Sequence, residues 1–147
     1  MKVLMITGDK KVATSARFAL QAAQVDKLAV VYWGRGALWP AMPQEHFDVV
    51  TVQDPFWRGL FAWRVARRMG AKFNVQVHTS VLTMLGKFIL RRADSIRVVS
   101  EKIKKQVEAI GVRTPITVLP IYVDISKFQN IVRQPHSKKI ILWIGRF

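Results

Sequence analysis

The 147-residue sequence contains no cysteine, which excludes a disulfide framework and a thiolate metal site and leaves the redox compartment unmarked. Acidic residues are scarce: 9 Asp and Glu stand against 24 Lys and Arg, for a formal charge of +15. Such a surplus calls for a partner of opposite sign, whether nucleic acid, anionic lipid or a phosphorylated ligand. No helix-turn-helix, zinc or RNA-binding motif accompanies the charge, so nucleic acid ranks lowest of the three. Long apolar runs are also missing. The longest, Val81 to Leu90, is interrupted by Lys87 and is too short to span a bilayer. The N-terminal MKVLMITGDKK is too short in its apolar part for a signal peptide. The expectation is a cytoplasmic protein, either soluble or peripheral on the inner face of the membrane. His46, His78 and His136 have no ligand-like spacing, so neither a metal nor another cofactor is expected.

What is present is a succession of short apolar runs separated by helical patterns. With 50% hydrophobic residues the chain has material for a core of ordinary domain size. Strands are expected at Lys2–Thr7, Leu28–Trp33, Asp48–Gln53, Lys72–Ser80, Ser95–Val99 and Ile116–Leu119, most of them nearly all apolar. Helices are expected over Ala13–Ala23, Phe56–Met69, Val81–Leu90 and Glu101–Ile110. Gly70 and Gly111 sit where the second and fourth of these should end. Residues 34–47, with Pro40 and Pro43, read as a surface loop in which Arg35 and Trp39 are ordinary decoration or ligand contacts. Alternating strands and helices imply an α/β domain with a mainly parallel sheet and helices on both faces.

In such a sheet ligands sit outside the carboxyl ends of the strands. The run KFNVQVHTS delivers His78, Thr79 and Ser80 at that edge, where Thr7, Gly8, Gln53, Asp54 and Ser100 also fall, with Lys10, Lys11 and Arg97 nearby. His78 is a ligand contact or a capping or core histidine. Asp54, followed by Pro55, is expected to cap the next helix, and Ser100 to cap the helix from Glu101. On a helical wheel Gly59, Ala62 and Ala66 share a face that can approach the sheet. The other side mixes Trp57, Leu60 and Trp63 with Arg64, Arg67 and Arg68. That mixture fits a helix lying at a lipid interface, and equally one whose long side chains cover a core edge.

The segments DVVTVQDPFWRGL, FNVQVHTS, LRRADSIRVVSEKIKK, ITVLPIYVDISKF and IILWIGRF follow one another in this order from Asp48 onward. Together they resemble the N-terminal half of the group 1, family 4, retaining glycosyltransferases of GT-B architecture. The most specific part is the combination of RRADSIRVVSE, LPIYVD and WIGRF. The resemblance implies a Rossmann-like acceptor-side domain over residues 1–122, a linker over 123–139, and in residues 140–147 the first strand of a donor-binding domain that is missing here. It implies a nucleotide-sugar donor, an acceptor hydroxyl, and metal-independent transfer that needs the donor domain for turnover. His78 matches the family's active-site histidine. Gly8 matches the donor-binding turn after the first strand, where a missing side chain lets backbone amides approach phosphate or sugar, and Arg146 the arginine that holds the donor diphosphate. Thr79, Ser80, Lys10, Asp54 and Ser100 are candidates for the acceptor rim. The sequence departs from the family pattern in its first loop, reduced to Gly8-Asp9-Lys10, and in a short segment after His78.

Two further expectations follow from composition. A basic, tryptophan-bearing surface suits an anionic membrane, with or without enzymatic function. The apolar strand 140–145, separated from its own domain, is expected to add to a sheet edge and favour homo-oligomers.

Overall fold

The computed structural model describes residues 1–34, 40–79, 83–123 and 125. Six strands run β1 (Lys2–Thr7), β2 (Lys27–Tyr32), β3 (Val49–Gln53), β4 (Lys72–Val77), β5 (Ser95–Val98) and β6 (Ile116–Val118). They form one parallel sheet in the order β2-β1-β3-β4-β5-β6. The helices are α1 (Ala16–Ala22), α2 (Trp57–Met69), α3 (Met84–Leu90) and α4 (Glu101–Glu108). This is the expected α/β, Rossmann-like architecture. The step from β1 to β2 runs opposite to the steps from β3 to β6. Right-handed crossovers therefore place α1 on one face and α2, α3 and α4 on the other.

The two faces differ in chemistry. Leu4, Ile6, Val50, Val52, Phe73, Val75, Val77, Ile96 and Val98 all point toward α2–α4 and are buried. Ala62, Val65 and Ala66 of α2, Ile89 and Leu90 of α3, and Val107 of α4 close over them. Each fully buried aliphatic side chain contributes about 1.5–3 kcal/mol, so this layer holds the fold together. On the face toward α1, Thr51, Asn74, Gln76 and Arg97 of β3–β5 are polar, while Val3 and Met5 of β1 are apolar and buried. A helix of seven residues with none fully buried covers only part of that face.

Several local expectations need correction. The first helix does not begin at Ala13: Val12–Thr14 is a 3-10 turn, and Ser15, extended at φ −81°, ψ 145°, accepts the Phe18 N–H on Oγ and starts α1. In α3, Thr83 Oγ1 accepts the Gly86 N–H at 3.1 Å and sets the start at Met84. Phe47, at the end of the expected surface loop, is fully buried. Gly59 faces Ile89 of α3, at 3.2 Å from where a Cβ would stand, rather than the sheet. Gly70 (φ 64°) and Gly111 (φ 78°) adopt the left-handed conformation that terminates their helices. Among the described residues no helix is long and apolar enough to cross a membrane. Arg35, Trp39, Ser80, His136, Arg146 and the strand 140–147 lie outside the described residues, as does the linker apart from Val123 and Ile125.

Candidate active site at the carboxyl rim

The strand order reverses between β1 and β3, so the connections leaving their carboxyl ends pass to opposite faces of the sheet, the place where such folds form a ligand crevice. Thr7 Oγ1 donates to Gln53 Oε1 at 2.9 Å and accepts the Asp9 N–H at 3.0 Å, which turns the chain sharply at Gly8. Asp9 Oδ1 accepts the Lys11 N–H at 2.9 Å and folds the short loop upon itself. Lys10 is exposed, its Nζ 5.5 Å from the centre of the Tyr32 ring.

Arg58, on the first turn of α2, reaches across this crevice. Its Nε donates to the Trp33 carbonyl at 2.7 Å. Its guanidinium occupies the space left by the absent side chain of Gly8: a Cβ there would stand 2.4 Å from Arg58 Cζ. The missing side chain of Gly8 thus makes room for a packed cation. Sequence reasoning missed Arg58, although its place one turn after the end of β3 is a usable signal.

Asp54 does not cap α2. The residue before α2 is Phe56, which makes no side-chain cap. Asp54 instead has φ 61°, and its Oδ1 accepts the His78 backbone N–H at 3.0 Å. Its own N–H donates to the Gln76 carbonyl at 2.7 Å. The ladder between β3 and β4 is thereby carried one residue further, and the end of β4 is fixed against the end of β3. Asp tolerates the left-handed region better than most residues, at a cost of about 1 kcal/mol.

His78 follows directly on β4 and is half-buried, while Thr79 is exposed. His78 Nε2 is shielded from solvent and meets no hydrogen-bond partner among the described residues. Burial pushes the imidazole below its ordinary 6.5; Asp54 opposes that shift, and Arg17 and Arg97 reinforce it. The ring is therefore neutral near pH 7 and keeps one nitrogen for a ligand. Sequence placed Arg97 near this rim but did not single out Arg17. Arg97 is legible in retrospect as the polar position between buried Ile96 and Val98. Ser100 Oγ accepts the Ile103 N–H at 3.4 Å and caps α4, as expected.

The tryptophan–arginine helix divides into two kinds of residue. Trp63 is partly buried against the core and meets Phe88 edge-on at 5.9 Å, with the Arg92 and Arg64 guanidinium groups 5.4 and 5.9 Å from its ring. Trp57 is 73% exposed, and Arg64, Arg67 and Arg68 point to solvent.

A family model described as Glycosyltransferase Family 4 matches residues 15–127. The chain belongs to that family. The match covers α1, every strand after β1 and the helices α2–α4, so it includes Asp54, His78 and Arg97, while Thr7, Gly8 and Lys10 precede it. Family membership supports a glycosyltransferase-type function, which acts on a sugar donor and an acceptor. Comparisons with curated proteins and with solved structures give no match.

Proposed function

We propose that this domain forms the acceptor side of a retaining glycosyltransferase that passes a sugar from a nucleotide-sugar to an acceptor hydroxyl. The observation that carries the reading is His78: within a family 4 domain, a neutral imidazole sits at the carboxyl rim with a buried Nε2 that meets no hydrogen-bond partner among the described residues. In this reading His78 hydrogen-bonds the donor sugar and orients it. Arg146 and a donor domain hold the diphosphate, and cationic groups without a metal stabilise it as it leaves. The bond from the anomeric carbon to the diphosphate oxygen breaks, and a bond to the acceptor oxygen forms on the same face of the sugar. The acceptor proton passes to the leaving diphosphate. Gly8 borders the donor, Lys10, Thr79 and Ser80 border the acceptor, and the protein works in the cytoplasm. The test is glycosyl transfer by this chain joined to a family 4 donor domain. His78→Ala is expected to reduce transfer at least a hundredfold with the fold retained; unchanged transfer would overturn the assignment.

A second reading, compatible with the first, is attachment to an anionic membrane surface. Trp57 (73% exposed) and Met84 (84% exposed) stand at the rim ends of α2 and α3, and Arg64, Arg67 and Arg68 follow on α2. Apolar side chains beside guanidinium groups suit the headgroup layer.

A further inference from the structure

Arg17 of α1 and Arg97 of β5 converge on one atom. Arg17 Nη2 donates to Gln76 Oε1 at 2.7 Å, and Arg97 Nη1 donates to the same oxygen at 3.0 Å. Gln76, 5% exposed, is held from behind: its Nε2 donates to Thr51 Oγ1 at 3.1 Å, and Thr51 Oγ1 donates to Asn74 Oδ1 at 2.8 Å. The carboxamide oxygen is therefore aimed at both cations, yet it is neutral. The other acceptors of Arg97 are neutral too, the Leu119 and Pro120 carbonyls at 2.8 and 3.1 Å. Arg97 Nε is shielded and makes no hydrogen bond among the described residues.

No described carboxylate pairs with either guanidinium. The reason lies in where the few acids are used. Asp26 pairs with the N-terminal ammonium group, Glu45 with Lys2 and Lys27, and Asp94 with Lys72, while Asp48 accepts the Lys2 N–H. All four stand at the amino edge of the sheet. At the opposite edge the Asp54 carboxylate faces His78 and accepts its N–H, Asp9 Oδ1 accepts the Lys11 N–H, and Glu101 is exposed in the first turn of α4. Satisfying Gln76 Oε1 needs one donor; two cations on it bring like charges together without compensation. Burial pulls both guanidinium groups below their ordinary value, and for Arg97 the nearby Arg17 adds to the shift.

We infer that Arg17 and Arg97 form an oxyanion-binding pair, and that the ligand meeting His78 carries a phosphate or carboxylate group that this pair holds. The first half stands on the geometry alone; the second rests on the transfer reading given above. Space for the body of such a ligand exists. A mainly apolar groove of about 410 Å³ runs along the partly covered sheet face beside α1, lined by Val3, Met5, Leu20 and Val49 and bordered by Gln76 and Arg97, with Arg17 and His78 outside its lining. A planar guanidinium pair matches an oxyanion in shape as well as charge.

The experiment is calorimetric titration of the whole chain with inorganic phosphate. Saturable binding is expected, weakened about tenfold by Arg97→Gln and lost in the double variant Arg17→Gln, Arg97→Gln. Gln76→Glu places a carboxylate between the two cations. It is expected to raise the thermal midpoint in the absence of phosphate and to abolish phosphate binding, so that loss of binding is separated from loss of fold. No saturable heat with the wild-type chain, or wild-type affinity retained in Gln76→Glu and in the double variant, would overturn the pair. Competition identifies the source of the oxyanion: displacement by a nucleoside diphosphate alone assigns it to the donor, and displacement by a hexose phosphate alone to the acceptor. Phosphate binding requires no turnover, so failure of the transfer reading is detected separately by His78→Ala.

Discussion

Asp54 and His78 are joined through the main chain: the Asp54 carboxylate accepts the His78 N–H at 3.0 Å while Asp54 itself holds φ 61°. A side chain that sequence assigns to a helix cap thus sets the position of the candidate catalytic histidine. The bond is charge-assisted and contributes about 1.5–3 kcal/mol.

Three substitutions separate the bond from the backbone strain. Asp54→Ala loses the bond and keeps the unfavourable φ, and is expected to destabilise by about 3 kcal/mol. Asp54→Gly loses the bond but adopts that φ freely, and is expected to be milder by about 1 kcal/mol. Asp54→Asn keeps an acceptor and tolerates the conformation, and should lose least. Urea denaturation ranks them; equal loss in all three would refute a specific role for the carboxylate.

The pH dependence follows from the lowered pKa of His78. The unfolded imidazole takes a proton at higher pH than the folded one, so below about 6.5 the unfolded state binds more protons. Stability contributed by the neutral ring is fully present above the unfolded pKa and is lost as pH falls through the folded pKa. Denaturation midpoints should decline on acidification below neutrality, and His78→Gln should flatten part of that decline. An unchanged slope in the variant would show that His78 is not the group responsible.

Gly8 and Arg58 form a second coupled pair. Gly8→Ala is expected to displace the Arg58 guanidinium from its place at the Trp33 carbonyl and cost about 1 kcal/mol. In an Arg58→Ala background the same change should cost almost nothing. A double-mutant cycle measures the coupling, and additive losses would disprove it.

Trp57 and Trp63 should behave differently. Trp57→Ser is expected to leave stability within about 0.5 kcal/mol and to reduce sedimentation with anionic vesicles. Trp63→Ser removes a ring packed on the core and is expected to cost on the order of 2 kcal/mol, below the value for a fully buried tryptophan. Each guanidinium near an anionic leaflet adds about 1 kcal/mol, so binding should fall as salt rises. Equal recovery of the wild-type chain in the supernatant with anionic and neutral vesicles would sink the membrane reading.

The sequence by itself determined the sheet. Apolar runs such as KVLMIT and DVVTVQ have a local cause that can be read directly: β1 is apolar on both faces and β3 on the face that α2–α4 cover, and the intervening amphipathic stripes fix the helices. It also put His78 at the end of a strand, and the ordered motifs from Asp48 onward pointed to the family that the match over 15–127 establishes. Tertiary structure alone decided what the polar residues do. Asp54 is an acceptor for His78 because the ends of β3 and β4 lie side by side. Arg58 lies over Gly8 because α2 begins beside the turn after β1. Arg17 and Arg97, 80 positions apart in the chain by subtraction of their numbers, share one oxygen because β1, β3, β4 and β5 are neighbours in space. Hydrophobic pattern is written along the chain. The pairing of charges depends on which strand ends meet, and only the folded sheet supplies that.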